Sequence, residues 1–183
     1  MKHFLLLVLF IVSVTALNAQ HTKSYIEFTN NFILVDTITI DTKFSNGLKK
    51  DSGTKLVYKY KDYVYEFLSG GYIQYDKKGN IITNSKFDNF GNYLSYKYYD
   101  SKGNLIEDSV FNTIDINTNN LEDFMANTYK NTVLFGYKKQ YTFSNKLCLN
   151  YLKKEGKIES FKKIGVWKIY SETGELKKEK IYK

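Results

Sequence analysis

An aromatic residue followed by Asp-x-x-Gly-Asn recurs without gaps at Tyr75-Asp76-Lys77-Lys78-Gly79-Asn80, Phe87-Asp88-Asn89-Phe90-Gly91-Asn92 and Tyr99-Asp100-Ser101-Lys102-Gly103-Asn104, with a spacing of twelve residues. Such a segment reads as the end of a strand, a type I turn, and a glycine in the left-handed region that closes a three-residue loop through a bulge. The fold expected is mainly β, an antiparallel meander of hairpins. A fourth copy stands near the end, where Tyr170-Ser171-Glu172-Thr173-Gly174-Glu175-Leu176 repeats the spacing. Gly79, Gly91, Gly103 and Gly174 are therefore assigned as structural turn residues. If the loop is Asn89 to Gly91, Phe87 faces Tyr93. Carried along the chain, this register sends Ile81, Phe87, Tyr93, Tyr99, Leu105 and Phe111 to one side as a contiguous apolar band.

The regular hairpins cover about 72–112 and 162–183 within one β-rich domain, 20–183. Period-two alternation over 55–65 and the apolar run over 32–40 predict two further strands, with Asn46-Gly47 and the polar residues up to Thr54 as the loop between them. Strands are also expected around 133–143, 147–152 and 166–182. One stretch departs from this pattern. Leu121, Phe124, Met125 and Tyr129 recur at helical spacing after Asn119 and Asn120, which predicts one short helix near 121–130, with Glu122 as cap partner to Asn119 and the apolar stripe covering the core.

The Gly165-Val166-Trp167-Lys168-Ile169-Tyr170 lead, with Gly174, Leu176 and Tyr182 after it, resembles the variant MORN repeat of bacterial chains; the central Tyr-Asp-x-x-Gly-Asn-Leu copies resemble YD repeats of bacterial surface proteins. The likeness spans about a third of the chain; the middle copies lack the Gly-x-Trp lead, and an insertion separates the two blocks. It implies stacked antiparallel hairpins used for binding or scaffolding, and some chains with the variant repeat carry an antitoxin-like label.

The N-terminus reads as an export signal. Met1-Lys2-His3 leads into an apolar run from Phe4 to Val14, then small residues to Ala19, so residues 1–19 are expected to be a signal peptide cut after Ala19. Eleven apolar residues reach roughly 16 Å as a helix, about half of a hydrocarbon core, and no later stretch is longer, so no transmembrane segment is expected after cleavage. The expected location is extracytoplasmic, periplasmic or secreted. The single cysteine, Cys148, lies between Leu147 and Leu149 and is read as a small buried hydrophobe.

Composition narrows the chemistry. Two histidines near the N-terminus and one cysteine supply no Cys/His zinc site or histidine triad, so neither cofactor nor metal is expected. Glu107 and Asp108 are neighbours in a strand and point to opposite faces, which disfavours paired-carboxylate hydrolysis; Asp76, Asp88 and Asp100 are better read as turn formers than as calcium ligands. All 27 basic residues are lysine; with residues 1–19 removed, 26 lysines against 19 acids leave a net charge of +7. The excess lies in 131–183, where 13 lysines oppose 5 acids.

There Lys162, Lys163 and Lys168 interleave with Trp167 and Tyr170, a basic surface with aromatic platforms. Its blander reading is a solvated, edge-guarding sheet face. Tyr93 and Tyr99, beside polar mid-strand residues, form a second candidate surface suited to sugar or peptide; the alternative is packing against a helix or sheet. Export and the absence of arginine weigh against nucleic acid. The expectation is a non-catalytic binding or interaction protein whose partner is an anionic envelope component or a protein. A toxin-neutralising protein is the alternative, and a hydrolase without recognisable motif comes third.

Overall fold

The computed structural model describes residues 20–183, so the predicted signal peptide lies outside the described residues. After a two-residue strand β1 (Gln20–His21) and a helix α1 (Lys23–Thr29), ten strands run in sequence order as one open antiparallel meander. They are β2 (Ile33–Lys43), β3 (Lys49–Tyr60), β4 (Tyr63–Tyr75), β5 (Ile81–Phe87), β6 (Tyr93–Tyr99), β7 (Leu105–Ile116), β8 (Thr132–Ser144), β9 (Leu149–Glu159), β10 (Lys162–Tyr170) and β11 (Leu176–Tyr182). Helices α2 (Leu121–Ala126) and α3 (Thr128–Asn131) fill the connection from β7 to β8. The expected mainly β meander is the architecture seen, and β2 and β11 are its edges.

The turns follow from their side chains. In the Phe87 hairpin, Asp88 Oδ1 accepts from the backbone N–H of Phe90 at 2.8 Å and of Asn92 at 2.9 Å, while Oδ2 accepts from the Asn92 amide at 2.9 Å. Asp76 and Asp100 make the same bonds to their own loops, so each aspartate satisfies loop donors that the ladder cannot reach. Gly79, Gly91, Gly103 and Gly174 take φ of +87°, +79°, +80° and +85°. Gly91→Val is expected to cost about 1–2 kcal/mol through that left-handed φ, read as a shifted urea midpoint; unchanged stability would contradict the turn.

Each of these hairpins carries a further irregularity that reverses the predicted face. Phe87 pairs with Tyr93, but Lys86 pairs with Ser95, so Leu94 is an extra residue; likewise Tyr99 pairs with Leu105 while Tyr98 pairs with Glu107. Each extra residue flips the side-chain parity of the strand beyond it. Phe87, Tyr93, Tyr96, Tyr98 and Phe111 therefore share one face, the front, whereas Ile81, Tyr99 and Leu105 lie on the back. The single apolar band expected from a uniform register does not form.

Helices cover the front face at one end only. Tyr25, Phe124 and Met125 come down from α1 and α2 onto Phe32, Tyr58, Phe111, Ile114 and Leu134, forming one core cluster. Phe111, Phe124 and Ile114 are 1%, 1% and 0% exposed, and each contributes about 2–3 kcal/mol by burial. His21 locks the N-terminal segment onto this core by donating from Nε2 to Asp88 Oδ2 at 2.9 Å and stacking on Tyr25 with centroids 4.8 Å apart. Burial first, and then the neighbouring Asp88 carboxylate, push the Tyr25 phenol far above its ordinary pKa.

Several local expectations are corrected. The helix predicted over 121–130 is two helices broken at Asn127, whose φ of −154° and ψ of 77° lie outside the helical region. Its cap is Asn120, which accepts from Glu122 and Asp123; Glu122 binds Lys61 instead of acting at Asn119, and Tyr129 leaves the stripe with 80% exposure. Helix α1, with Thr22 as its cap, is an addition to the elements expected. The strand read over 55–65 is two strands that turn at Lys61 and Asp62; Asn46-Gly47 turn the chain as expected, but the polar run from Lys49 to Thr54 belongs to β3. Cys148 is exposed, with φ +52° in the β8–β9 turn, because Asn145–Cys148 reverse the chain there.

Candidate functional site

Cross-strand pairing builds a floor on the front face. One row runs Tyr72, Ser85, Tyr96, Ser109, Lys138, Gly156 and Trp167, each residue paired with the next across β4 to β10. Beside it runs Gln74, Thr83, Tyr98, Glu107, Gln140, Lys154 and Ile169. Most of the side chains in these rows can hydrogen-bond, which is the opposite of a surface built to be covered by a second layer.

Over the β4–β7 part of these rows lies an open cleft of about 720 Å³, lined by Tyr72, Gln74, Thr83, Ser85, Tyr98 and Glu107 below and by Phe87, Tyr93, Tyr96, Tyr129 and Phe161 at its sides. A smaller cleft of about 220 Å³ shares Tyr93, Tyr129 and Phe161 with it, so these three rings stand between two adjacent hollows. Phe161 reaches this position through a two-residue β9–β10 turn in which Ser160 and Phe161 take φ of +44° and +70°. That backbone is unfavourable for bulky side chains. It is held by Ser160 N–H donating to the Leu134 carbonyl at 2.8 Å and by Phe161 lying on Phe111, Tyr93 and Tyr96 with centroids 5.4, 5.7 and 6.3 Å apart.

Under the cleft sits a half-hidden ion pair. Lys138 Nζ stands 2.7 Å from Glu107 Oε1, the Tyr96 hydroxyl donates to the same oxygen, and Gln140 Nε2 donates to Oε2 at 2.7 Å. Burial pushes the Glu107 carboxyl up, but the donors Lys138, Tyr96 and Gln140 outweigh it and hold the carboxyl below its ordinary value. Its stabilisation is therefore full above the carboxylate range of the unfolded chain and is lost as pH falls through the lower folded value. Lys138→Met is expected to destabilise by about 3–5 kcal/mol by stranding Glu107, and adding Glu107→Gln should recover much of that loss in chemical denaturation. Equal instability of the single and double variants would show that packing, not charge, makes Lys138 necessary. Beneath the rings, Ser109 Oγ and Gln140 Oε1 are buried without a protein hydrogen-bond partner.

The sequence-predicted residues divide between the faces. Tyr93 lines the cleft, but Tyr99 is on the back, turned there by the extra residue at Leu94 in the same strand. In β10, Lys163 pairs with Ile158 and Trp167 with Gly156, both on the front; Lys162 pairs with Glu159 and Lys168 with Glu155, on the back. Trp167 is 0% exposed and is therefore no platform: its ring lies on Gly156 and its Nε1 donates to the Lys157 carbonyl at 2.9 Å. Tyr170 faces the back, where donation to Glu155 at 2.5 Å, with some burial, pushes its phenol up to about 12. The predicted lysine–aromatic patch is thus not one surface. Reasoning from sequence also missed Phe161, Tyr129 and the Lys138–Glu107 pair; only the two flanking strands hinted at the first.

Among the described residues no group of three or more His, Cys, Asp or Glu is placed to hold a metal ion, and no helix is long and apolar enough to cross a membrane. Compared with known proteins, the chain matches no family model, no curated protein and no solved structure.

Proposed function

We propose that this is a non-catalytic binding protein, working outside the cytoplasm, that holds an extended glycan across the front of its sheet. The observation that carries the reading is the open cleft with a floor of Gln74, Thr83, Ser85 and Tyr98 and walls of Tyr93, Tyr129 and Phe161. Hydroxyl and amide groups below match a sugar's hydroxyls, and aromatic faces beside them match its apolar ring faces. A strained turn that serves to set Phe161 against this cleft is also more readily understood at a binding site than in a plain scaffold. The export reading rests on residues 1–19, and the resemblance to hairpin repeats used for binding agrees with it.

Glu107 has three donors on its two oxygens, which leaves it poorly suited to attack or proton transfer. The next carboxylate along the row, Asp51, is separated from it by Gln74, Thr83 and Tyr98, four strand spacings or about 19 Å. Paired carboxylates that hydrolyse glycosides stand roughly 5–9.5 Å apart. The test is an oligosaccharide array of neutral, N-acetylated and uronic-acid chains, with bound sugars recovered and sized. The expected result is retention of intact chains, weakened about tenfold by Tyr129→Ala or Tyr93→Ala. Shortened chains, or retention that neither substitution alters, would contradict it.

A further inference from the structure

Beyond the cleft, toward β11, the floor rows end in lysine. Trp167 pairs with Lys180, and Ile169, the partner of Lys154, pairs with Lys178, so Lys154, Lys178 and Lys180 all face front. Lys163 joins them: its Nζ lies 4.5 Å from the Trp167 ring centroid and 5.3 Å from that of Tyr182, and Lys180 Nζ stands 4.9 Å from Tyr182. The Tyr182 ring thus sits within reach of two ammonium groups, and the Trp167 ring lies under one of them.

What this cluster lacks is an acid. Among the described residues, none of Lys154, Lys163, Lys178 and Lys180 has a carboxylate within 4.0 Å, whereas Lys138 two strands inward has Glu107. The acids closest in sequence are directed elsewhere: Glu155 and Glu179 each pair with Lys168, which faces the back. Burial, followed by the proximity of Lys163, lowers the Lys154 ammonium below its ordinary pKa, the sign of cations gathered without a counter-charge.

We propose that Lys154, Lys163 and Lys180, around Tyr182, form a second site that takes an oxyanion carried on a polymer, a carboxylate, phosphate or sulfate on the same chain that lies in the cleft. The proposal rests on the glycan reading for the polymer, and on the lysines themselves for the anion. Row geometry sets the reach: Trp167 and Tyr96 are four strand spacings apart, about 19 Å, so a monosaccharide fills one site and a longer acidic chain fills both.

Trp167 is the single tryptophan, and Lys163 covers its ring, so its fluorescence reports this site and not the cleft. The probes are polygalacturonate, polyphosphate and dextran sulfate, which separate the three oxyanions, with neutral dextran and vesicles of anionic phospholipid as controls. Expected is a saturable change in Trp167 emission with at least one acidic polymer and none with dextran. The affinity should fall more than tenfold as ionic strength rises from about 0.01 to about 1 M, where the Debye length shrinks from roughly 30 to 3 Å. Lys154→Gln with Lys163→Gln should lose about tenfold in affinity, while the back-face pair Lys162→Gln with Lys168→Gln, which removes the same charge, should lose little; thermal melts confirm that both remain folded. Equal losses in the two pairs, no emission change with any acidic polymer, or a response confined to vesicles of anionic phospholipid would overturn the site. An oxyanion response that persists when no glycan is retained on the array would instead sink the glycan reading and leave the anion site standing.

Discussion

Gly136→Ala is expected to be one of the most damaging single substitutions in the sheet, costing about 3 kcal/mol or more. Gly136 pairs with Phe111 in the middle of the meander, and a Cβ there would run into the Val110 carbonyl while standing 3.0 Å from both Cα and Cδ1 of Phe111. The obstacle is backbone held by ladder hydrogen bonds on both sides, so it cannot move aside as a flexible side chain would. Gly71→Ala is the matched control, because nothing lies within 4 Å of a Cβ built at that position. Urea denaturation should show the first with a lowered midpoint and the second near the parent; similar midpoints would mean that β7 and β8 approach each other less closely than these contacts require.

Trp167→Ala should cost a comparable amount, about 3–5 kcal/mol. The ring is 0% exposed, it fills the space that Gly156 leaves on the facing strand, and it packs edge-on against Tyr182 with centroids 6.0 Å apart. Its removal also strands the Lys157 carbonyl that accepts from the indole. Because the ring rests on the opposing strand's backbone, the converse change Gly156→Val should destabilise as well: a Cβ there would stand 2.5 Å from Trp167 Cδ1 and Cγ. A Trp167→Ala protein that melts with the parent would show that the C-terminal hairpin is not anchored by this residue.

The hairpin turns and the strand facings illustrate what was legible in the sequence and what was not. The turns could be read because Asp88, Gly91 and Asn92 carry their chemistry locally: the carboxylate, the left-handed φ and the amide act within five residues. Facing could not be read so easily. Nothing in Tyr93-Leu94-Ser95 or Leu105-Ile106-Glu107 announces an extra residue in the ladder, and one such residue sends Tyr99 to the back and Tyr98 to the front. The Ser160-Phe161 turn was silent for a related reason: tertiary packing on Phe111, Tyr93 and Tyr96 holds a backbone that neither residue prefers.

The candidate surface suffered from the same limit. Lysines and aromatics were visible as a crowded C-terminal segment, but strand alternation sorts Lys163 and Trp167 from Lys162 and Lys168, and a glycine across the strand draws Trp167 down to the floor. Cys148 departs for a local reason, because it closes a tight turn between Leu147 in that turn and Leu149 at the start of β9, which are themselves 40% and 47% exposed.

A ligand held by the front of the sheet is the central claim, and tyrosine modification measures it directly. The protein would be nitrated with and without saturating polygalacturonate and the modified tyrosines located by mass spectrometry. Tyr98 and Tyr129, 43% and 80% exposed on the front, should be protected, while Tyr137 on the back, 39% exposed, should react as before. Protection of Tyr137 with continued reaction at Tyr98 and Tyr129 would contradict it.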